Sequence, residues 1–300
     1  MAQLSATADL STLGPGARPA SRAEAAEYCH RLARRHYENF TVVSLLLPRR
    51  LVPHMEAIYA YCRWADDLAD EVTSPEESLE LLDWWQAELE RCYAGEASHP
   101  VFVALRETIR EFEIPREPFV NLLEAFRQDQ RVTRYASADD VLAYCRDSAN
   151  PVGRLVLYLG RCHDDQRAEL SDAVCTGLQL VNFCQDVARD WHQGRVYLPQ
   201  ETLLRAGYDE AMFARGEYND AFVQALREEV DRAERFLRAG EPLVSRMPRE
   251  LRLDVALFVA GGLEIVRAIR KLDYDVWRTR PTLSKHARLR LLVGSWWRTR

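Results

Sequence analysis

Two groups of carboxylates stand at helical spacing in this chain. The first lies in Arg63-Trp64-Ala65-Asp66-Asp67-Leu68-Ala69-Asp70-Glu71, where Asp66 and Asp70 share one helical face. The second lies in Asn182-Phe183-Cys184-Gln185-Asp186-Val187-Ala188-Arg189-Asp190, where Asn182, Asp186 and Asp190 repeat the four-residue step. Such oxygen donors suit Mg²⁺, which takes one or two carboxylates and completes its octahedron with water and substrate phosphates. Two such helices facing each other across a pocket could hold several ions with a diphosphate between them. They would lower the cost of the diphosphate leaving as an anion. One cluster alone could equally be a solvated charged face. Two, separated by 186 − 70 = 116 positions in a helical chain, favour a shared site.

Arg63 precedes Asp66 by three residues and Arg195 follows Asp190 by five. Each could donate forked hydrogen bonds to phosphate oxygens, or could simply pair with the acids. Other chemistries lack their residues. Gly14-Pro15-Gly16 has no strand before it and makes no dinucleotide fingerprint. No G-x-S-x-G, H-E-x-x-H or Walker pattern occurs, and the seven histidines are scattered.

The elements that must position the acids read as helices. Pro53 opens one in which Met55, Tyr59, Cys62, Asp66 and Asp70 follow three- and four-residue steps, so an apolar stripe ends in acids. Ser21 with Glu24, Ser74-Pro75-Glu76-Glu77, His99-Pro100 and Ser137-Ala138-Asp139-Asp140 are helix starts. Ser171 is read as the cap of the helix carrying the second set, with Gly194 ending it. Asn150-Pro151 should interrupt the chain between helices. The segment from Phe40 to Pro48 has strand-like composition but no strand to pair with, so helix or irregular helix edge is expected. About ten helices and no repeats predict one all-α domain over residues 21–277. Residues 1–20, small, polar and Pro/Gly-bearing, are expected to be a disordered tail.

The bulk numbers agree with a globular protein. Three hundred residues with 47% hydrophobic and 29% charged content can bury a substantial core. Net charge is 40 − 46 = −6, which gives no support to nucleic-acid binding. Seven cysteines, odd in number and without a C-x-x-C pair, read as reduced core thiols. With no signal-like or spanning segment, a cytoplasmic location is expected. Residues 278–300 carry Arg278, Arg280, Lys285, Arg288, Arg290, Arg298 and Arg300 among leucines and Trp296-Trp297, with no acid after Asp275. Such a segment can lie peripherally on an anionic inner membrane face, or form a last packing helix with a basic end.

With these residues in view, the chain resembles the squalene/phytoene synthases, head-to-head prenyl transferases of the all-α isoprenoid (terpenoid) synthase fold, which has a central pocket. The resemblance covers about residues 22–275. It rests on Ile58-Tyr59-Ala60-Tyr61-Cys62-Arg63 leading to Asp66 and Asp70, on Arg134-Tyr135, Tyr144-Cys145 and Val152-Gly153, and on Asn182 to Asp190 followed by Gly194-Arg195-Val196-Tyr197-Leu198-Pro199. Tyr37-Glu38-Asn39-Phe40, Ser148 to Leu157 and the second acidic stretch are similar to one branch, HpnC, the hydroxysqualene synthases of bacterial hopanoid biosynthesis.

That resemblance implies a reaction. Asp66, Asp70, Asn182, Asp186 and Asp190 would assemble Mg²⁺. Arg63, Arg195 and Tyr59 would grip the diphosphate of presqualene diphosphate. After the diphosphate leaves, water captures the rearranged cation, and no NADPH is needed. Tyr37, Phe40, Tyr61 and Phe183 are candidate walls around the cation, or plain core. Several family positions differ here: Tyr37-Glu38-Asn39-Phe40 replaces a Ser-Arg-Ser-Phe-like start, Gln185 a common arginine, Arg189 a usual glutamate, and Asp147 the tyrosine implicated in proton handling. Fewer phosphate-binding arginines fit one diphosphate substrate, and Asp147 could steer the attacking water or be a helix-end carboxylate. The substrate would come from a presqualene diphosphate synthase acting as a functional partner. The closest rival is condensation of two farnesyl diphosphates to presqualene diphosphate or squalene. A non-catalytic membrane-associated assembly factor is a rival of another class, and retention of the four aspartates argues against it.

Overall fold

The computed structural model describes residues 6–16, 18–35, 47–72, 74–284, 287, 290–292 and 294–295. Tyr37, Phe40 and most of the segment from Phe40 to Pro48 fall outside them. So do Lys285, Arg288, Trp296, Trp297, Arg298 and Arg300 of the basic end. Among the described residues there are fifteen helices and no strand; the only β-type contact is an isolated parallel bridge between Arg134 and Val196. The excess over ten comes mainly from short turns of four to eight residues. None of these helices is long and apolar enough to cross a membrane. All seven thiols are free.

The helices divide into two compact units. The first comprises Met1–Arg131 with Leu155–Arg161. It contains α1 (Ala6–Leu13), α2 (Arg22–Arg35), α3 (Val52–Asp70), α4 (Pro75–Tyr93), α5 (Pro100–Phe112) and α6 (Glu117–Asp129). Local chemistry explains the helix starts. Ser21 and Glu24 exchange hydrogen bonds in a capping box. Ser74 accepts from the Glu77 amide and His99 from the Val101 amide. Prolines stand in the first turns of α3 to α6, where a missing N–H costs nothing.

α3 is the centre of this unit, packing on α2, α4, α5 and α6. Its buried face carries Tyr61 and Trp64, which meet Trp85, Phe102 and Phe119 at ring separations of 5.0 to 5.9 Å. The polar tips are satisfied: Tyr61 donates to the Phe119 carbonyl at 2.9 Å, and the Trp64 indole to the Tyr28 hydroxyl at 2.8 Å. Tyr61 is therefore core. Tyr28 in turn donates to Asp9 at 2.9 Å. The expected tail thus contains a helix, α1, anchored by that bond; its short, polar composition hid a docking residue.

The second unit comprises Val132–Arg154 and Cys162–Arg300. It contains α7 (Ala138–Ser148), the start of α8 (Asn150–Leu159), α9 (Asp165–Gln185), α10 (Val187–His192), α11 (Gln200–Ala206), α12 (Glu210–Ala214), α13 (Asp220–Gly240), α14 (Leu243–Arg246) and α15 (Arg249–Lys271). Asn150-Pro151 does separate α7 from α8. The main packing is α9 against α13, and glycine permits it. A Cβ on Gly177 would lie 2.8 Å from Leu237, and one on Gly240 would lie 2.8 Å from the Leu170 carbonyl. α15 packs on both, tied to α13 by Arg270, which reaches Asp231 and Glu234 at 2.6 Å.

Candidate functional site

Each unit presents one acidic helix end. In the first, α3 closes with its Glu71 amide on the Asp67 carbonyl at 2.9 Å, and Gln130 of α6 holds the Ala69 carbonyl at 3.0 Å. The C-terminal turn of α3 is thus fixed from outside the helix. Arg63 lies along these carboxylates. It reaches Asp66 at 3.0 Å and Glu71 at 3.4 Å, and also pairs with Asp67. Asp67 is 1% exposed whereas Asp70 is exposed. Sequence reasoning placed Asp66 and Asp70 in the site and left Asp67 as a neighbour. The structure makes Asp67 the buried partner of Arg63, so intrahelical pairing is the arrangement Arg63 adopts here.

The Asp66 side chain is 44% exposed, yet surrounding protein displaces enough water to push its carboxyl up to about 6. Arg63 opposes that rise; the like charges of Asp70, Asp67 and Glu71 add to it. Tyr59, one turn before Arg63, is half-buried, and burial lifts its phenol to about 12.

In the second unit α9 begins at Asp164, whose carboxylate accepts from the Arg167 amide at 2.7 Å. Ser171 is not the cap: it is a buried residue one and a half turns inside. A stronger capping carboxylate upstream outcompetes it. Nor does Gly194 end a continuous helix. The chain breaks at Asp186 (φ −105°, ψ 16°) before the short α10. The break keeps the spacing: the Asp186 amide donates to Asn182 at 2.9 Å and the Asp190 amide to Asp186 at 2.8 Å. The Arg195 amide returns to the Asp190 carbonyl at 2.8 Å. Arg134 donates to the Gly194 carbonyl at 2.6 Å and lies over Trp191 at 5.3 Å, pinning this turn.

Asp186 is 6% exposed, and its two oxygens are forked onto Arg280, 94 residues later, with one contact at 2.9 Å. The neighbouring Gln185 amide donates to the Pro281 carbonyl. The segment after α15 therefore lies over the second acidic set. Sequence reasoning named Arg280 only as part of a basic end; no spacing rule links it to Asp186. Asp190 is raised to about 7, first by burial and then by Asp186, with Arg189, Arg195 and Arg280 opposing. Asn182 is exposed, and Asp147 is half-buried in the last turn of α7. Phe183 stacks on Tyr197 at 4.0 Å within a cluster that includes Tyr144, a packed arrangement.

The donor sets fit Mg²⁺. All the groups are oxygen donors, and at both ends like charges crowd together, a repulsion that a divalent cation relieves. No cluster of three or more His, Cys, Asp or Glu side chains able to hold an ion alone occurs among the described residues. That agrees with ions completed by phosphate oxygens and water.

Residues 33–287 match the family profile described as squalene/phytoene synthase. The chain belongs to the squalene/phytoene synthase family. Within the family, it is 35% identical over 241 residues to a hydroxysqualene synthase of Rhodopseudomonas palustris, covering 79% of this chain and 80% of that one. It is 30% identical over 273 residues to a 15-cis-phytoene synthase of Synechococcus elongatus, covering 87% and 89%. Its fold superposes on the crystal structure of squalene synthase HpnC from Alicyclobacillus acidocaldarius with a TM-score of 0.81 at 44% identity, covering 83% of this chain and 94% of that one. The fold is therefore the helical terpenoid synthase fold, and the family is one of enzymes that process prenyl diphosphates.

Proposed function

We propose that this squalene/phytoene synthase-family chain is a Mg²⁺-dependent hydroxysqualene synthase that ionises presqualene diphosphate and directs water onto the rearranged cation. The observation that carries the reading is the 44% identity to HpnC across 83% of the chain. Both oxygen sets, Asp66 with Asp70 and Asn182 with Asp186 and Asp190, are retained in that chain.

Bound Mg²⁺ would supply charge neutralisation to a diphosphate leaving group. The protein's own residues do the rest. Arg63 and Arg195 donate to phosphate oxygens, Arg63 by turning from the carboxylates it now serves, and Tyr59 stays protonated as a donor. Gln185 stands where family members often carry arginine, which leaves less positive charge than two diphosphates need. Tyr37, Phe40 and Phe183 remain candidate aromatic residues near the apolar part of the substrate. Asp147 is the candidate for accepting the proton that the captured water gives up: a C–O bond forms at the cation and one O–H bond breaks toward the carboxylate. This sequence uses no reductant. The basic C-terminal segment would keep the enzyme peripheral to an anionic membrane, near its apolar substrate and a presqualene diphosphate synthase.

A second reading, condensation of farnesyl diphosphate, draws on the phytoene synthase relatives. Purified protein with Mg²⁺ separates the two. Hydroxysqualene from presqualene diphosphate, with no turnover of farnesyl diphosphate alone, supports the proposal; efficient use of farnesyl diphosphate alone sinks it.

A further inference from the structure

Asp254 is 5% exposed, and neither carboxylate oxygen has a hydrogen-bond partner among the described residues. Burial pushes its carboxyl up to about 7, with no ionised neighbour contributing to the shift. Leaving a carboxyl in this state is costly, and native folds retain few such groups without a use.

Its helix supplies the context. On α15, Asp254, Phe258, Gly261 and Ile265 follow steps of four, three and four and share one face. Phe258 is 36% exposed. A Cβ built on Gly261 would meet nothing within 4 Å. A glycine inside a helix costs about 1 kcal/mol relative to alanine. Packing does not demand this one, since alanine would fit. The adjacent Gly262 is different: its Cβ would fall 2.9 Å from Leu178 and Leu237, so α15 touches α9 and α13 there. The face with Gly261 is therefore open, apolar through Phe258 and Ile265, and polar only at Asp254.

Depth follows from helix direction. Gly262 meets Leu237 while Arg270 meets Asp231 and Glu234, so α15 and α13 are antiparallel. Gly177 meets Leu237 and Gly240 meets Val174, so α13 and α9 are antiparallel too. α9 and α15 are then parallel and level at Leu178 and Gly262. Asp186 lies eight residues past Leu178 and Asp254 eight before Gly262, about 24 Å apart along the axis at 1.5 Å per residue. Asp254 sits at the opposite end of this face from the acidic set.

We propose that Asp254 is the polar stop of a prenyl-chain site along α15, setting the longest chain this enzyme accepts. This deepens the proposed reaction and rests on it. A chain that ends short of Asp254 leaves water on its oxygens. A chain longer by one isoprene unit would cover them and strip that water, and buried unpaired polar groups discriminate strongly against such ligands.

The test compares kcat/KM for prephytoene diphosphate, the C40 homologue, with that for presqualene diphosphate. Asp254→Ala and Asp254→Leu should raise the C40-to-C30 ratio about ten- to a hundred-fold, mainly through KM. Asp254→Asn, which keeps a polar stop, should leave the ratio within about threefold of the unmodified enzyme. Folding is checked by circular dichroism and thermal melting. Unchanged ratios in both folded apolar variants would overturn the proposal, and so would Asp254→Asn behaving as they do. If the unmodified enzyme instead condenses farnesyl diphosphate, the reaction assignment fails. The ratio for geranylgeranyl against farnesyl diphosphate then tests Asp254 on its own terms.

Discussion

The two acidic helix ends are neutralised in different ways. At the end of α3 the cation is local: Arg63 serves Asp66, Asp67 and Glu71 from the same helix. At the end of α9 the fork on Asp186 comes from Arg280, 94 residues later. The first arrangement is complete once one helix folds. The second is complete only when the segment after α15 is in place. The charge state of Asp186 is therefore linked to the C-terminal segment, and that of Asp66 is not.

Removing a carboxylate from either end tests whether both are needed. Asp66→Ala and Asp186→Ala should each lower turnover at least about a thousand-fold with helicity unchanged by circular dichroism. Near-normal turnover in either would break the paired-set account.

The counter-ions should separate the ends next. Arg63→Gln leaves Asp67, 1% exposed, without this cation, at an expected cost of about 2–3 kcal/mol in denaturant unfolding. Arg280 is 49% exposed, so solvent screens its pair, and Arg280→Gln should cost about 1 kcal/mol. Added Mg²⁺ should restore the melting temperature of the Arg280 variant more fully. Equal restoration in both would erase the distinction drawn here.

A smaller effect concerns pH in metal-free protein. Asp66 and Asp190 are raised to about 6 and about 7. Their stabilising contribution is full below the unfolded value near 4. It is lost as pH rises through the folded values, because the unfolded chain ionises first. The melting temperature in EDTA should fall between about pH 4 and pH 7, with Asp190→Asn flattening the upper part. A melting temperature that rises steadily over that range in both proteins would contradict the assignment.

The smallest effect distinguishes the two caps considered for α9. Asp164→Ala should cost about 1 kcal/mol and Ser171→Ala less, as measured by urea unfolding. The reverse order would restore Ser171 as the cap.

What the sequence could reveal divides along the same line. Helix starts at Ser21, Ser74, His99 and Ser137 were legible because their capping partners lie two or three residues away. The acid spacing was legible because it depends only on helical period, and it survives the break at Asp186. α1 was hidden because its anchor is tertiary, the bond between Asp9 and Tyr28. Arg280 and Asp254 were hidden for the same reason: one is defined by a contact across 94 residues, the other by burial without a partner. Tyr61 was ambiguous between substrate wall and core until its hydroxyl was seen bonded to Phe119.

The most direct measurement of the central claim is isotope incorporation. Purified enzyme with Mg²⁺ and presqualene diphosphate in H₂¹⁸O should yield hydroxysqualene carrying ¹⁸O in its hydroxyl, by mass spectrometry. Hydroxysqualene without the label, or a hydrocarbon as sole product, would contradict it.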